Sequence, residues 1–376
     1  MSDDISYGII GCGMMGQEHL RNIRLLHGSR IAAIYEPDAG MRQAAAILAP
    51  EAAFCDSLDA LLARTDLDCL VIASPNVDHI GQLERIAQGR ALPVLVEKPV
   101  FTDAADRARL QALNESYAAP VWVAMEYRYM PPIAAFLARL ESATGGLRML
   151  SIREHRFPFL DKVGAWNRFN RNSGGTMVEK CCHFFDLMRL ATADEPVRIM
   201  ASAGQAVNHK DETYGGATPD IWDNGYVIVD FAGGARAMLD LCMFAEGARY
   251  QEEITATGAQ GRIDVLVPGP GRFWPTHLGP APVPQLIESP RSPKGPLAID
   301  IPIDPTLLAA GDHNGATFFQ HQKFAAVVRG EAAPEVNMDD GMKAVLMGLA
   351  AQESAITGQA VALDFGPAVT ARRVSA

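Results

Sequence analysis

One hexapeptide, Gly11-Cys12-Gly13-Met14-Met15-Gly16, restricts this chain to few folds, because it directly follows the strand-like run YGII and opens directly onto a helical pattern. At such a junction the three glycines have separate tasks. The first permits the tight turn, the second lets backbone approach a pyrophosphate, and the third lets helix and strand pack closely. Phosphate then rests on the amides of a helix N-terminus. Alone, the hexapeptide also fits an ordinary turn; its place at the first strand–helix junction selects the dinucleotide reading. Gly11, Gly13 and Gly16, with Met14 and Met15 between them, are the expected phosphate loop.

The residues that follow supply the rest of such a domain. Up to about residue 126, the short apolar runs RIAAIYE, CLVIAS, PVLVEKP and PVWVAME alternate with Ala/Leu-rich helical stretches. Continuously apolar strands of this kind are buried on both faces, as in a doubly wound parallel sheet. Glu36 ends the second of these strands, where a carboxylate accepts from the adenine ribose hydroxyls and repels a 2′-phosphate. NAD is therefore favoured over NADP, although a solvated surface glutamate would look the same.

At 376 residues the chain exceeds the size at which a single core keeps growing. Two domains are expected: a nucleotide-binding Rossmann domain over 1–126, and a substrate-binding and oligomerisation α+β domain over 127–376. In the second, strand-like runs follow one another without intervening helices (LRMLSIREHRF, VRIMASAGQAV, YVIVDFA, ARAMLDLCMF, QEEITATGA), which reads as a mostly antiparallel open sheet with helices on one face. One helical segment, GGTMVEKCCHFFDLMRL, interrupts them, and two more helices, roughly 314–329 and 338–357, close the chain. The Pro- and Gly-rich stretch 265–302 has no clear period and reads as a long excursion.

A net charge of −11 argues against a nucleic-acid partner. No apolar run approaches the ~18 residues of a membrane span. The amino terminus lacks the layout of a signal peptide, and six scattered cysteines suit reduced, buried thiols. A cytoplasmic location follows as the expectation.

The chemistry-bearing residues fall in two places. Lys98, in Glu97-Lys98-Pro99, leaves the carboxyl end of a central strand, where ligands of open α/β sheets bind. A lysine there can bond a substrate hydroxyl and steady developing alkoxide charge, with Glu97 orienting it; an ordinary surface pair before a turn has the same spacing. Farther on, Glu179 and His183 stand four apart on one helical face. A histidine facing the crevice can take a hydroxyl proton while Glu179 fixes its tautomer or bonds the substrate; a satisfied core histidine beside Phe184 and Phe185 is the bland alternative. A metal site from Glu179, Cys182 and His183 is disfavoured, since adjacent helical residues project about 100° apart. No metal is expected. Tyr127, Arg128, Arg153, His155, Trp166, Arg168, Asn170, Lys180 and His313 complete the polar residues placed around a polyol, each also compatible with ordinary interface structure.

Together, GCGMMGQEHLRN (11–22), SPNVDH (74–79), EKP (97–99), EYRYMP (126–131) and SGGTMVEKCCHFFDLMRL (173–190) resemble the Gfo/Idh/MocA family of glucose-fructose oxidoreductases and inositol dehydrogenases, over essentially the whole chain. The resemblance implies Ser74, Pro75, Asn76, His79 and Glu97 as further cofactor-site residues. It makes Lys98 the substrate-contacting lysine, followed by a cis bond to Pro99, and His183 the motif histidine. Glu179 stands where that family usually has Asp, and Lys180 and Cys181 replace an apolar residue and a glycine. The implied activity is hydride transfer between nicotinamide and a hydroxyl-bearing carbon of a sugar, sugar derivative or inositol, in a homo-oligomer. The alternatives are an NAD-dependent redox-elimination glycosidase or lyase, and a non-catalytic nucleotide-sensing protein.

Overall fold

The computed structural model of the protein describes residues 4–365. Strands β1 (Ile5–Ile10), β2 (Ser29–Tyr35), β3 (Ala53–Cys55), β4 (Cys69–Ile72), β5 (Val94–Val96) and β6 (Val121–Val123) form one sheet in the order β3-β2-β1-β4-β5-β6. Every pairing in it is parallel. Helices α1 (Met14–Ile23), α2 (Ala39–Leu48), α3 (Leu58–Leu62), α4 (His79–Ala87) and α5 (Arg107–Ser116) connect the strands. With helices on both faces the central strands have no wet side, and β1, β4, β5 and β6 are buried throughout. The strand order reverses between β1 and β4, which opens a crevice at their carboxyl ends. Ile10 is level with both Tyr35 and Ile72, so the chain leaves the sheet at Gly11, Glu36 and Ala73 side by side.

The second sheet contains β7 (Leu147–His155), β8 (Pro196–Gly204), β9 (Asn224–Phe231), β10 (Arg236–Cys242), β11 (Glu252–Gly258), β12 (Gly261–Val267), β13 (Gln285–Pro290), β14 (Leu297–Asp300) and β15 (Val361–Ala362), in the order β14-β13-β12-β11-β7-β10-β9-β8-β15. Only β7 and β10 pair in parallel; the other pairings are antiparallel. The remaining helices are α6 (Pro131–Thr144), α7 (Asn170–Ser173), α8 (Thr176–Glu179), α9 (Cys182–Thr192), α10 (Pro305–Ala310), α11 (Ala316–Val328) and α12 (Met338–Thr357). Of these, α6, α9 and α12 pack on the sheet. The inward residues under them, among them Ile152, Val227, Val229, Leu239, Ile254 and Val265, form the core. Successive strand residues point to opposite faces, so the outward register of the same strands is left uncovered by helices among the described residues.

Three features differ from the sequence expectation. The stretch 265–302 is not a bare excursion: it carries β13 and β14, a hairpin that extends the sheet. All of its prolines and glycines except Pro290 lie outside these strands and mask them. The motif segment is not one helix either, because α8 ends at Glu179 and α9 starts at Cys182. The amide of Cys181 reaches back five residues to the Thr176 carbonyl, and the regular ladder is interrupted. Finally, the closing helices serve both halves of the chain. α11 packs against α1, and α12 against β6 and α5, where Met342 and Val345 join the core around Val121 and Val123. α12 also approaches α8 so closely that a Cβ on Gly348 would lie 2.4 Å from the Met177 carbonyl oxygen. Among the described residues, no helix is long and apolar enough to cross a membrane.

Candidate active site

The glycine loop leaves β1 with Gly11 at φ +87°, and a Cβ there would sit 2.7 Å from the Ser74 amide nitrogen. A Cβ on Gly16 would sit 2.3 Å from the Gly11 carbonyl oxygen, whereas one on Gly13 would meet nothing within 4 Å. Two glycines thus allow close packing, and the third leaves an open hollow at the N-terminus of α1. Glu36 is buried beside it: one carboxylate oxygen accepts from the Cys12 amide at 2.5 Å and the other from the Asp38 amide at 2.7 Å. An open phosphate cradle beside a fixed carboxylate suits NAD, whose ribose hydroxyls are free donors.

Ser74 to His79 leave the end of β4. The Ser74 hydroxyl donates to Gln82 at 2.7 Å, and the Asn76 amide donates to the Ser173 carbonyl at 3.2 Å, tying this loop to the second half of the chain. Pro75 precedes the turn Asn76–Asp78. His79 does not face the crevice: it is fully buried, with its ring nitrogens 2.8 Å from the Pro99 carbonyl and 3.0 Å from the Ser74 carbonyl, and it braces the two loops. Glu97 likewise turns inward, accepting from His19 at 2.9 Å, while His19 contacts His321 at 2.8 Å. It therefore anchors the end of β5 to α1 and α11.

Lys98 follows, with a cis bond to Pro99, and its ammonium donates to the Glu179 carbonyl at 3.2 Å. His183 lies at the same cleft, its ring stacked on Tyr127 with centroids 4.1 Å apart and planes 10° apart. Its Nδ1 is buried without a partner among the described residues. Burial and then the positive charges of Lys98, Lys180, His313 and Arg156 hold its pKa well below the ordinary histidine value. Lys98 behaves oppositely. Burial disfavours its charge, but Cys182 and the carboxylates of Glu97, Glu179 and Glu126 outweigh it and raise the pKa above that of an ordinary lysine. A neutral imidazole and a cationic ammonium therefore share one cleft.

Glu179 closes α8 and receives Lys162 on one oxygen at 3.1 Å, while its Oε2 has no hydrogen-bond partner among the described residues. Lys180, in the break between α8 and α9, turns toward Glu154 at 2.8 Å and hydrogen-bonds the Tyr127 hydroxyl. Burial lowers its pKa in spite of Glu154. The cleft's far wall is the loop carrying His313. The His313 Nδ1 is 2.9 Å from Glu18 on α1, and its Nε2 is 3.6 Å from Glu126. The Thr317 hydroxyl lies within reach of both carboxylates, at 3.0 and 2.6 Å. Burial opposes a charge on His313, but Glu126 and Glu18 push its pKa up to about 9. Burial would raise the Glu18 pKa, yet His313 and its hydrogen bonds bring it down to about 2. Donor atoms of Glu18, Glu126 and His313 lie within 4.8 Å of one another, but an imidazolium facing a carboxylate on each side already supplies the positive charge that a cation would bring.

Several residues placed at the substrate from sequence lie elsewhere. Arg128 is ion-paired with Asp186 and donates to the Glu335 carbonyl. Arg153 and His155 occupy the outward register of β7, paired with Glu253 and Asp240. Arg168 is buried against Asp161 and Glu212, and Asn170 bonds Asp220. Trp166 stands behind Lys162, whose ammonium lies 4.3 Å from its ring centre. Tyr127, Lys180, His183 and His313 do line the cleft, with Met14, Met15, Lys98 and Glu179. The residues missed were Glu154, Arg156, Lys162 and Glu252. Period-two alternation could have found Glu154, since it shares the inward register of Leu150 and Ile152 and needs a buried cation.

Residues 5–125 match the family model described as an oxidoreductase family, NAD-binding Rossmann fold, and residues 144–363 match its C-terminal alpha/beta domain. An inositol 2-dehydrogenase of Rhizobium meliloti (strain 1021) is 27% identical over 264 residues, covering 69% of this chain and 74% of that protein. A crystal structure of an oxidoreductase from Agrobacterium radiobacter in complex with NAD+, L-tartaric acid and magnesium has a TM-score of 0.78 at 20% identity, covering 96% of this chain and 98% of that one. A putative myo-inositol dehydrogenase from Sinorhizobium meliloti 1021 gives 0.75 at 20% identity, covering 96% and 100%. At these identities the two structures speak to the fold. With both halves matched in order over most of its length, the chain belongs to the Gfo/Idh/MocA family of oxidoreductases and is NAD-dependent.

Proposed function

We propose that the protein oxidises a secondary hydroxyl of a sugar, sugar derivative or inositol, and reduces the corresponding ketone in reverse. The observation that carries this reading is the convergence of Lys98, Glu179 and His183 in the cleft that Met14 and Met15 of the cofactor loop also line. When bound, NAD supplies the hydride acceptor. His183, uncharged and with Nδ1 unpartnered, accepts the hydroxyl proton as a general base. Lys98, held as a cation, donates to the same oxygen and offsets its developing negative charge. Glu179, positioned by Lys162, accepts from a neighbouring hydroxyl through its free oxygen. The relation to an inositol 2-dehydrogenase supports a polyol as substrate. Neither the elimination reading nor the silent nucleotide sensor is favoured by these comparisons.

The protein assembles through the uncovered face of the second sheet. Met200, Ile228 and Met238 stand opposite one another across β8, β9 and β10, and Met149 and Tyr226 on the same face are 64% and 62% exposed. A contiguous apolar patch of this kind marks an interaction surface. Its compartment in this reading is the cytoplasm, which keeps the six free cysteines reduced.

The test is purified protein with NAD against inositols, free sugars, sugar acids and aryl glycosides, following reduced-nicotinamide absorbance and analysing products. Stoichiometric NADH with a ketone product is expected. Glycoside cleavage without net NADH would overturn the dehydrogenase in favour of elimination.

A further inference from the structure

Resting on the dehydrogenase reading of the cleft, we propose that the substrate is a polyhydroxy acid, whose carboxylate binds the guanidinium of Arg156 while its reacting hydroxyl lies between Lys98 and His183.

Arg156 is the basic side chain of the cleft that shares its carboxylate with a closer cation. Four basic side chains line the cleft: Lys98, Arg156, Lys162 and Lys180. Lys162 is matched by Glu179 at 3.1 Å and Lys180 by Glu154 at 2.8 Å. At the far wall, Asp312 is matched by Arg272 and His313 by Glu18. Lys98 serves the reacting oxygen. Arg156 remains. Its nearest carboxylate oxygen, on Glu154, is 3.5 Å away and already engaged by Lys180. Its one side-chain hydrogen bond among the described residues runs from Nε to the Phe157 carbonyl at 3.1 Å. Glu252, also in the cleft, does not serve as a full counter-ion, because burial and the nearby Glu154 push its pKa up to about 7.

The geometry of Arg156 favours a carboxylate. The side chain is only 13% exposed, and its guanidinium lies 4.3 Å over the Phe157 ring, which fixes the plane of the fork. Beyond the 3.5 Å approach of Nη1 to the shared Glu154, the Nη edge has no acceptor among the described residues. A planar fork matches a carboxylate through two parallel charge-assisted hydrogen bonds, which a neutral hydroxyl does not reproduce. A single guanidinium balances a monoanionic carboxylate better than a phosphate dianion.

The experiment compares a neutral polyol (glucose or myo-inositol), two acids (gluconate and glucuronate) and glucose 6-phosphate. Turnover is read as NADH formation, and binding as the fluorescence change of protein-bound NADH, so the answer does not depend on turnover. At least one acid should bind more tightly than its neutral counterpart. In Arg156→Gln the acid-to-neutral ratio, of kcat/KM or of affinity, should fall by about 10- to 100-fold, the range of a lost charge-assisted pair. Arg156→Lys, which keeps charge without the fork, should fall between. Because the readout is a ratio within one variant, a general loss of folded protein does not mimic it. Equal binding of acids and neutral polyols, an unchanged ratio in Arg156→Gln, or preference for the phosphate would overturn the proposal and leave the dehydrogenase reading standing. NADH binding and acid binding without any hydride transfer would instead overturn the dehydrogenase reading alone.

Discussion

Burial and four cationic neighbours keep the His183 imidazole uncharged, while nearby carboxylates keep Lys98 charged, so two groups of one cleft are set to opposite tasks. Lys98→Ala and His183→Ala should each lower turnover by about 10²- to 10⁴-fold and still bind NADH in a fluorescence titration; near-normal turnover would remove that residue from the mechanism. Since the His183 pKa is depressed, protonation that silences the base occurs only below the ordinary histidine value of 6.5. The acid limb of kcat/KM assigned to it should therefore lie below that pH. Sequence exposed much of this scale: the glycines, Glu36, Lys98, Glu179 and His183 all belong to local patterns with a mechanism. The environment that charges one group and neutralises the other was not legible, because Lys180, His313 and Arg156 reach His183 from separate elements. Arg156 itself lay one residue beyond the strand positions singled out.

At the level of elements, β7 shows how a correct strand can yield misplaced site residues. Its alternation was visible, but Arg153 and His155 were set toward the cleft when Glu154 occupies that register, and a one-residue choice of face moves every side chain to the other side. The break between α8 and α9 was equally hidden, since the segment's apolar pattern continues through it. The His313 loop is the element whose behaviour is most readily tested. Glu18 has a folded pKa near 2, below its ordinary 4.5, so its contribution is present above 4.5 and lost as pH falls toward 2. His313 has a folded pKa near 9, above its ordinary 6.5, so its contribution is complete below 6.5 and lost as pH rises through 9. The stabilisation from the pair should peak between pH 4.5 and 6.5. Thermal midpoints of wild type and His313→Gln across pH should differ most in that window and converge toward both extremes; a pH-independent difference would contradict the pairing.

Across the whole molecule, the parallel sheet and the open mixed sheet were legible from strand rhythm alone, because buried parallel strands and half-covered strands carry different polarity patterns. The return of α11 and α12 to the first sheet was not, since nothing local in a closing helix names its partner. The uncovered sheet face predicts association: Ile228→Lys, at the centre of the Met200–Ile228–Met238 row, should shift the protein toward monomer by light scattering while NADH binding persists. An unchanged mass would place the interface elsewhere. Hydride transfer from a carbinol carbon is checked by turning over a polyol deuterated at that carbon. Each NADH released should carry one deuterium, matched by one ketone product. Unlabelled NADH, or cleaved or dehydrated product with no accumulated NADH, would contradict it.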